Sequence, residues 1–212
     1  MISALVPVKY LSAGKSRLSP VLPPKERAAL SLYMLQKVLD ALRRSCRFDW
    51  IGVVTNDPRV HSLAREGKAH TLWEPDQISE NRSIALGSRI CREMGAKSLL
   101  VIHADLPLIT AGEIESLVAL GNAEPKVVLC PSKEGTGTNA LYRTPPEVIP
   151  ACFGPGSFSR HLAEAEDRRI PWERCCLPGI SLDIDTPEDL RKMGPSPGFN
   201  LPAPGAKEPW IL

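Results

Sequence analysis

Short apolar runs alternate with stretches of helical periodicity along most of the chain, and this alternation constrains the fold more than any other feature. The runs SALVPV (3–8), WIGVVT (50–55), HTLW (70–73) and SLLVIH (98–103) read as buried strands. Pro23 and Pro24 introduce a helix on which Ala28, Leu32, Leu35, Leu39 and Leu42 share one face, and further helices are expected over 59–66, 80–94 and 111–121. KVVLC (126–130) and NALYR (139–143) add strands on either side of a Gly/Thr-rich loop. Strands separated by helices predict an α/β protein with a parallel or mixed sheet covered on both faces. In such sheets ligands gather beyond the carboxyl ends of strands, near the point where strand order reverses. Asp105 of VIHADLPLIT and the loop 9–20 both fall at carboxyl ends.

Composition narrows the function. With 212 residues, 43% hydrophobic and 24% charged, the chain has the balance of a soluble globular protein. A net charge of +2 gives no general attraction for nucleic acid or an anionic membrane, and no apolar run reaches the roughly 20 residues of a bilayer span. The opening MISALVPVKY is too short in its apolar part for a secretory signal, and the cysteines match no zinc spacing, so reduced thiols and a cytoplasmic location are expected. A domain over 1–193 followed by an extended or disordered proline-rich tail, 194–212, is the expected organisation; a homodimer is compatible with it.

Several constellations carry chemistry. In VPVKYLSAGKSRLSP, Lys9, Lys15 and Arg17 surround small residues in a loop after the first strand, an arrangement suited to phosphate. It is not a Walker A loop, because the first glycine of that pattern falls on Lys9, and no G-x-G-x-x-G occurs. Asp105 and Asp185, each closing an apolar run, suit a hard divalent cation such as Mg²⁺. Asp183 is expected to point to the opposite face if 182–185 stay extended, while Thr186-Pro187-Glu188-Asp189 reads as a helix-capping box. In EGTGTNALYR, glycines let backbone approach a ligand beside Thr138 and Asn139. In FGPGSFSRHLAEAE, Gly154-Pro155-Gly156 precede Ser157 at a helix start suited to an anion, followed by Arg160 and His161. Asn81 and Ser83 offer groups for a base edge.

Taken in order, VPVKxxxxxKSRLSP, HADLPL, GTN, FGPGSFxxH and DIDTPEDL resemble the guanylyltransferases of coenzyme F-420 biosynthesis, the 2-phospho-L-lactate guanylyltransferase family. The resemblance extends to about residue 193, and KSRL together with FGPGSF is its specific part. It implies a single-domain, GT-A-like, Rossmann-like nucleotidyltransferase that uses GTP, with Mg²⁺ on Asp105 and Asp185. It further implies a small phosphorylated acid bound near Thr138, Gly154 and Ser157: 2-phospho-L-lactate, phosphoenolpyruvate or 3-phospho-D-glycerate. Where related sequences carry a Gly-Leu-Asn-like run, this chain has Ser79-Glu80-Asn81-Arg82, and Asn81 alone carries over as a base-reading residue. The competing readings are a molybdopterin or sugar-phosphate nucleotidyltransferase, a glycosyltransferase using Asp183-Ile184-Asp185 as its metal motif, and a GTP-binding module without turnover.

Overall fold

A computed structural model of the protein describes residues 1–11, 14–76 and 78–194; residues 195–212 of the expected tail lie outside the described residues. Strands β1 (Ile2–Pro7), β2 (Trp50–Thr55), β3 (His70–Trp73), β4 (Ser98–Ile102), β5 (Lys126–Pro131), β6 (Thr138–Thr144) and β7 (Trp172–Arg174) form one sheet in the order β3-β2-β1-β4-β6-β5-β7. The helices are α1 (Pro24–Arg44), α2 (Pro58–Glu66), α3 (Glu80–Glu93), α4 (Ala111–Leu120), α5 (Ser157–Asp167), α6 (Pro178–Ser181) and α7 (Pro187–Met193). β1 pairs in parallel with β2 and β4, β2 with β3, and β5 with β7; β6 alone runs antiparallel, between β4 and β5. The mixed, mostly parallel sheet expected from the sequence is the one observed.

The strands β1, β2, β4 and β5 are mostly apolar because both faces are covered, whereas the edge strands β3 and β7 are partly exposed and β6 carries Thr138, Asn139, Arg143 and Thr144. Alternate side chains go to opposite sides, as the pleat requires. Ala4, Val6, Leu100, Ile102, Val128 and Tyr142 meet α1, α2 and α4 on one side, and Leu5, Leu99, Val101, Leu129 and Leu141 meet α3 and α5 on the other. On α1 four residues of the expected stripe, Ala28, Leu35, Leu39 and Leu42, are buried, and the fifth, Leu32, is half-buried against the same cluster. A third, smaller cluster joins Leu18, Leu22, Leu30 and Met34 to Ile184, Leu190 and Met193. It ties the basic loop after β1 to the segment between α6 and α7.

Two elements escape the sequence pattern. β7 has three residues and α6 four, too few for either periodicity to register. The expectation that Asp183 and Asp185 close a strand is corrected: residues 182–185 belong to no strand. They cross the end of β4 instead, where Ile184 N–H donates to the Asp105 carbonyl at 3.2 Å. No helix of the described residues is long and apolar enough to cross a membrane.

Candidate active site

The chain runs outward from β1 to β2 and β3, then returns to place β4 on the other side of β1. The strand order therefore reverses between β1 and β4, and a cleft of about 400 Å³ opens there, beyond their carboxyl ends. Lys9 and Lys15 come to its wall from the loop after β1, Glu80 and Ser83 from α3, and His103 and Asp105 from the end of β4. Because β6 is antiparallel, its first residues, Thr138 and Asn139, arrive at this same edge.

Lys15 sits at the centre. Its Nζ donates to Asp105 Oδ2 at 2.5 Å and to Asp185 Oδ1 at 2.7 Å, with only 11% of the side chain exposed. Burial opposes its charge, but the two carboxylates more than offset this and raise its pKa well above the lysine range. Its backbone is left-handed, φ 54°, a conformation that costs a non-glycine residue energy and that the neighbouring turn, Ser16–Leu18, sustains. Leu18 is the anchor: it is fully buried in the third cluster, beside Ile184. The loop is pinned a second time by Asp57, whose Oδ2 accepts the Leu11 N–H at 3.0 Å. Arg17 reaches Asp185 at 3.9 Å and is 75% exposed, open to a ligand.

Asp183 joins the pair. Carboxylate oxygens of Asp105, Asp183 and Asp185 all lie within 4.8 Å of one another. The expectation of an opposite face is overturned on simple geometry: residues two apart on extended chain share a side, and it is Ile184 that turns away into the core. Asn139 holds Asp183, donating to Oδ1 at 3.1 Å and to the carbonyls of Ile180 and Ser181 at 2.9 Å and 3.2 Å. Burial, then the charges of Asp105 and Asp185, raise the Asp183 pKa. Asp105 moves the other way: burial would raise it, but Lys15 and His103 lower it further. The donor set fits a hard divalent cation, since it is all carboxylate and Asp105 Oδ1 is buried without a hydrogen-bond partner.

The residues expected to meet a small phosphorylated acid come from the start of β6 and the turn before α5. Thr138 N–H donates to Ser157 Oγ at 2.8 Å, and both residues are 1% exposed. The turn itself is exposed, with Gly154 and Gly156 at φ 108° and 69°. Asn81, expected at the base, spends its amide on the chain itself: its Oδ1 accepts Phe153 N–H at 2.7 Å and its Nδ2 donates to Phe153 O at 3.1 Å. Both ends of the amide are thereby engaged in holding the turn. His103, which the sequence did not single out, faces Glu80 at 3.3 Å and packs against the Phe153 ring, centroids 5.1 Å apart. Ser83 is engaged too, with its hydroxyl on the Glu74 carboxylate.

Residues 2–194 match the family model described as guanylyl transferase CofC like. The chain belongs to this CofC-like guanylyl transferase family. Among its relatives, a phosphoenolpyruvate guanylyltransferase of Sphaerobacter thermophilus is 41% identical over 190 residues, covering 90% of this chain and 91% of the relative. One of Rubrobacter xylanophilus is 40% identical, covering 93% and 95%. A 3-phospho-D-glycerate guanylyltransferase of Colwellia psychrerythraea is 32% identical, covering 88% of each. The fold of this CofC-like chain recurs in a solved nucleotide-diphospho-sugar transferase from Desulfovibrio desulfuricans, TM-score 0.70 at 14% identity, with 91% of this chain and 85% of that one covered. It recurs also in a nucleotidyl transferase from Methanothermobacter, TM-score 0.65 at 15% identity, with 91% and 95% covered.

Proposed function

We propose that the protein transfers GMP from GTP to a small phosphorylated three-carbon acid and releases pyrophosphate. The observation that carries this reading is the meeting of Lys15, Asp105 and Asp185 beside a cleft at the strand-order reversal. Phosphoenolpyruvate is the acceptor favoured by the two relatives near 40% identity; 3-phospho-D-glycerate and 2-phospho-L-lactate differ from it by a few atoms.

A phosphate monoester is already mostly ionised at neutral pH, its second pKa lying near about 6, so its oxygen needs no general base to attack the α-phosphorus of GTP. The obstacle is bringing two anions together. Lys9, exposed on the cleft wall, and Arg17, exposed beside Asp185, hold the triphosphate and balance the charge on the departing pyrophosphate. Lys15, already ordered by two carboxylates, adds a cation at the reacting end. Asp105 and Asp185, with Asp183 beside them, would hold Mg²⁺, which when bound supplies charge neutralisation and polarisation at the α-phosphate. The Gly154–Gly156 turn, Thr138 and Ser157 hold the acceptor in line, and Asn81 keeps that turn in place through Phe153.

Pyrophosphate release, measured over all four ribonucleoside triphosphates against each phospho-acid, tests the reading. Release with GTP only, and only when a phospho-acid is present, is expected. Release without acceptor, or equal release with ATP or CTP, overturns it.

A further inference from the structure

The last residue of the FGPGSFxxH run, His161, has no part in the reaction so far described, yet it is 0% exposed and partnered on both ring nitrogens. Cys152 N–H donates to Nε2 at 2.8 Å, and Nδ1 lies 3.0 Å from Thr138 Oγ1. A backbone N–H only donates, so Nε2 is an acceptor and the proton of the neutral ring resides on Nδ1. Burial keeps the ring neutral, reinforced by the charges facing it: Arg143 on β6, Arg160 on α5 and His103 beyond β4 bring its pKa down to about 3. Nδ1–H therefore donates to the Thr138 hydroxyl oxygen.

The same logic applies to the neighbouring hydroxyl. Ser157 Oγ accepts the Thr138 N–H, so each oxygen is used by the protein as an acceptor. Neither O–H proton has a protein acceptor among the described residues. Two hydroxyls set as donors, beneath the exposed Gly154–Gly156 turn, suit a ligand that only accepts. We propose that His161 is a positioning residue for the acceptor: it sets Thr138 as a hydrogen-bond donor to the anionic oxygens of the phosphorylated acid, with Ser157 as the second donor. The proposal rests on the acceptor subsite of the reading above and gives that subsite its selectivity for an ionised group.

Long-range proton–nitrogen correlation NMR on the isotope-labelled wild-type protein reads the tautomer directly. A proton on Nδ1 and no titration from about pH 5 to about pH 8 are expected; a proton on Nε2, or a ring that titrates in that range, overturns the proposal whether or not any variant folds. Two variants separate the partners: His161→Asn keeps a donor near the Nδ1 position, and His161→Gln keeps an acceptor near Nε2. The Asn variant is expected to hold the acceptor KM within about threefold of wild type, and the Gln variant to raise it roughly tenfold, with the KM for GTP unchanged in both. Equal effects of the two variants, or parallel changes in both KM values, overturn it. A wild-type enzyme that transfers GMP to no phospho-acid sinks the acceptor reading and this role together, and the tautomer measurement then tells whether the hydrogen-bond pattern itself was right.

Discussion

Lys15 holds Asp105 and Asp185 together from a left-handed backbone position, and Asp183 adds a third negative charge within 4.8 Å of theirs. Three carboxylates against one buried ammonium is a strained balance, and it predicts opposite outcomes for substitutions that touch the same contact. Asp105→Asn gives up the stabilisation that the lowered Asp105 pKa reflects, offset in part by relief of repulsion with Asp183 while Lys15 keeps Asp185, so thermal stability falls only modestly; kcat falls by about a hundredfold or more because a carboxylate that would hold the divalent cation is gone. Lys15→Met leaves the carboxylates unopposed and costs about 2 kcal/mol at neutral pH, the figure being held down by the 43% exposure of Asp185. The sign of its pH dependence follows from the shifts. The raised Lys15 pKa gives stability that is present below its unfolded value of 10.5 and lost as pH rises through the folded one. The lowered Asp105 pKa gives stability that is present above 3.8 and lost as pH falls through the folded value. Denaturant titrations of wild type and Lys15→Met should therefore differ most on the neutral plateau and converge below about pH 4; a gap that persists in acid contradicts the charge balance.

At the scale of elements, the site depends on segments too short to announce themselves. α6 has four residues, yet Asn139 uses its carbonyls and Asp183 together, so the position of α6 sets the position of the carboxylate. Glu113 locks α6 in turn: one oxygen completes the capping box with Thr110 on α4, and the other accepts the Gly179 N–H at 2.6 Å. A Cβ on Gly179 would meet the Glu113 carboxylate and the Leu108 backbone. Gly179→Ala is accordingly predicted to destabilise the protein by about 1–3 kcal/mol and to lower kcat several-fold, though residue 179 touches no substrate. A variant of full stability and full kcat removes α6 from the account. The capping box at Thr186 and Asp189 was legible because its residue types are dictated by local hydrogen bonding. Asn139 was legible only as a polar group beside a Gly/Thr loop; its hold on Asp183 was not, because the antiparallel direction of β6 carries it there and direction leaves no trace in a strand's own sequence. Asn81 was singled out as a base reader by the family resemblance; its two bonds to Phe153 were not legible, because they join residues 72 positions apart.

For the molecule as a whole, the strand order explains why residues remote in sequence converge. Reversal between β1 and β4 opens the cleft, and the cluster of Leu18, Met34 and Ile184 closes it from below by tying the loop after β1 to the chain after α6. The alternation of apolar runs and helices made this architecture readable, and Asp105 readable within it, since a carboxylate ending a buried run has few structural uses. The route of residues 182–185 was not readable, because burial of Ile184 against α1 settles it and no local pattern encodes that contact. The central claim is that an acceptor phosphate oxygen attacks the α-phosphorus of GTP at this convergence. Its most direct test is the mass of the product made from GTP and an acceptor whose phosphate carries heavy oxygen. The account predicts a single guanylylated phospho-acid that retains every labelled oxygen, with unlabelled pyrophosphate. Label in the pyrophosphate, or GTP converted without a product containing the acceptor, would contradict it.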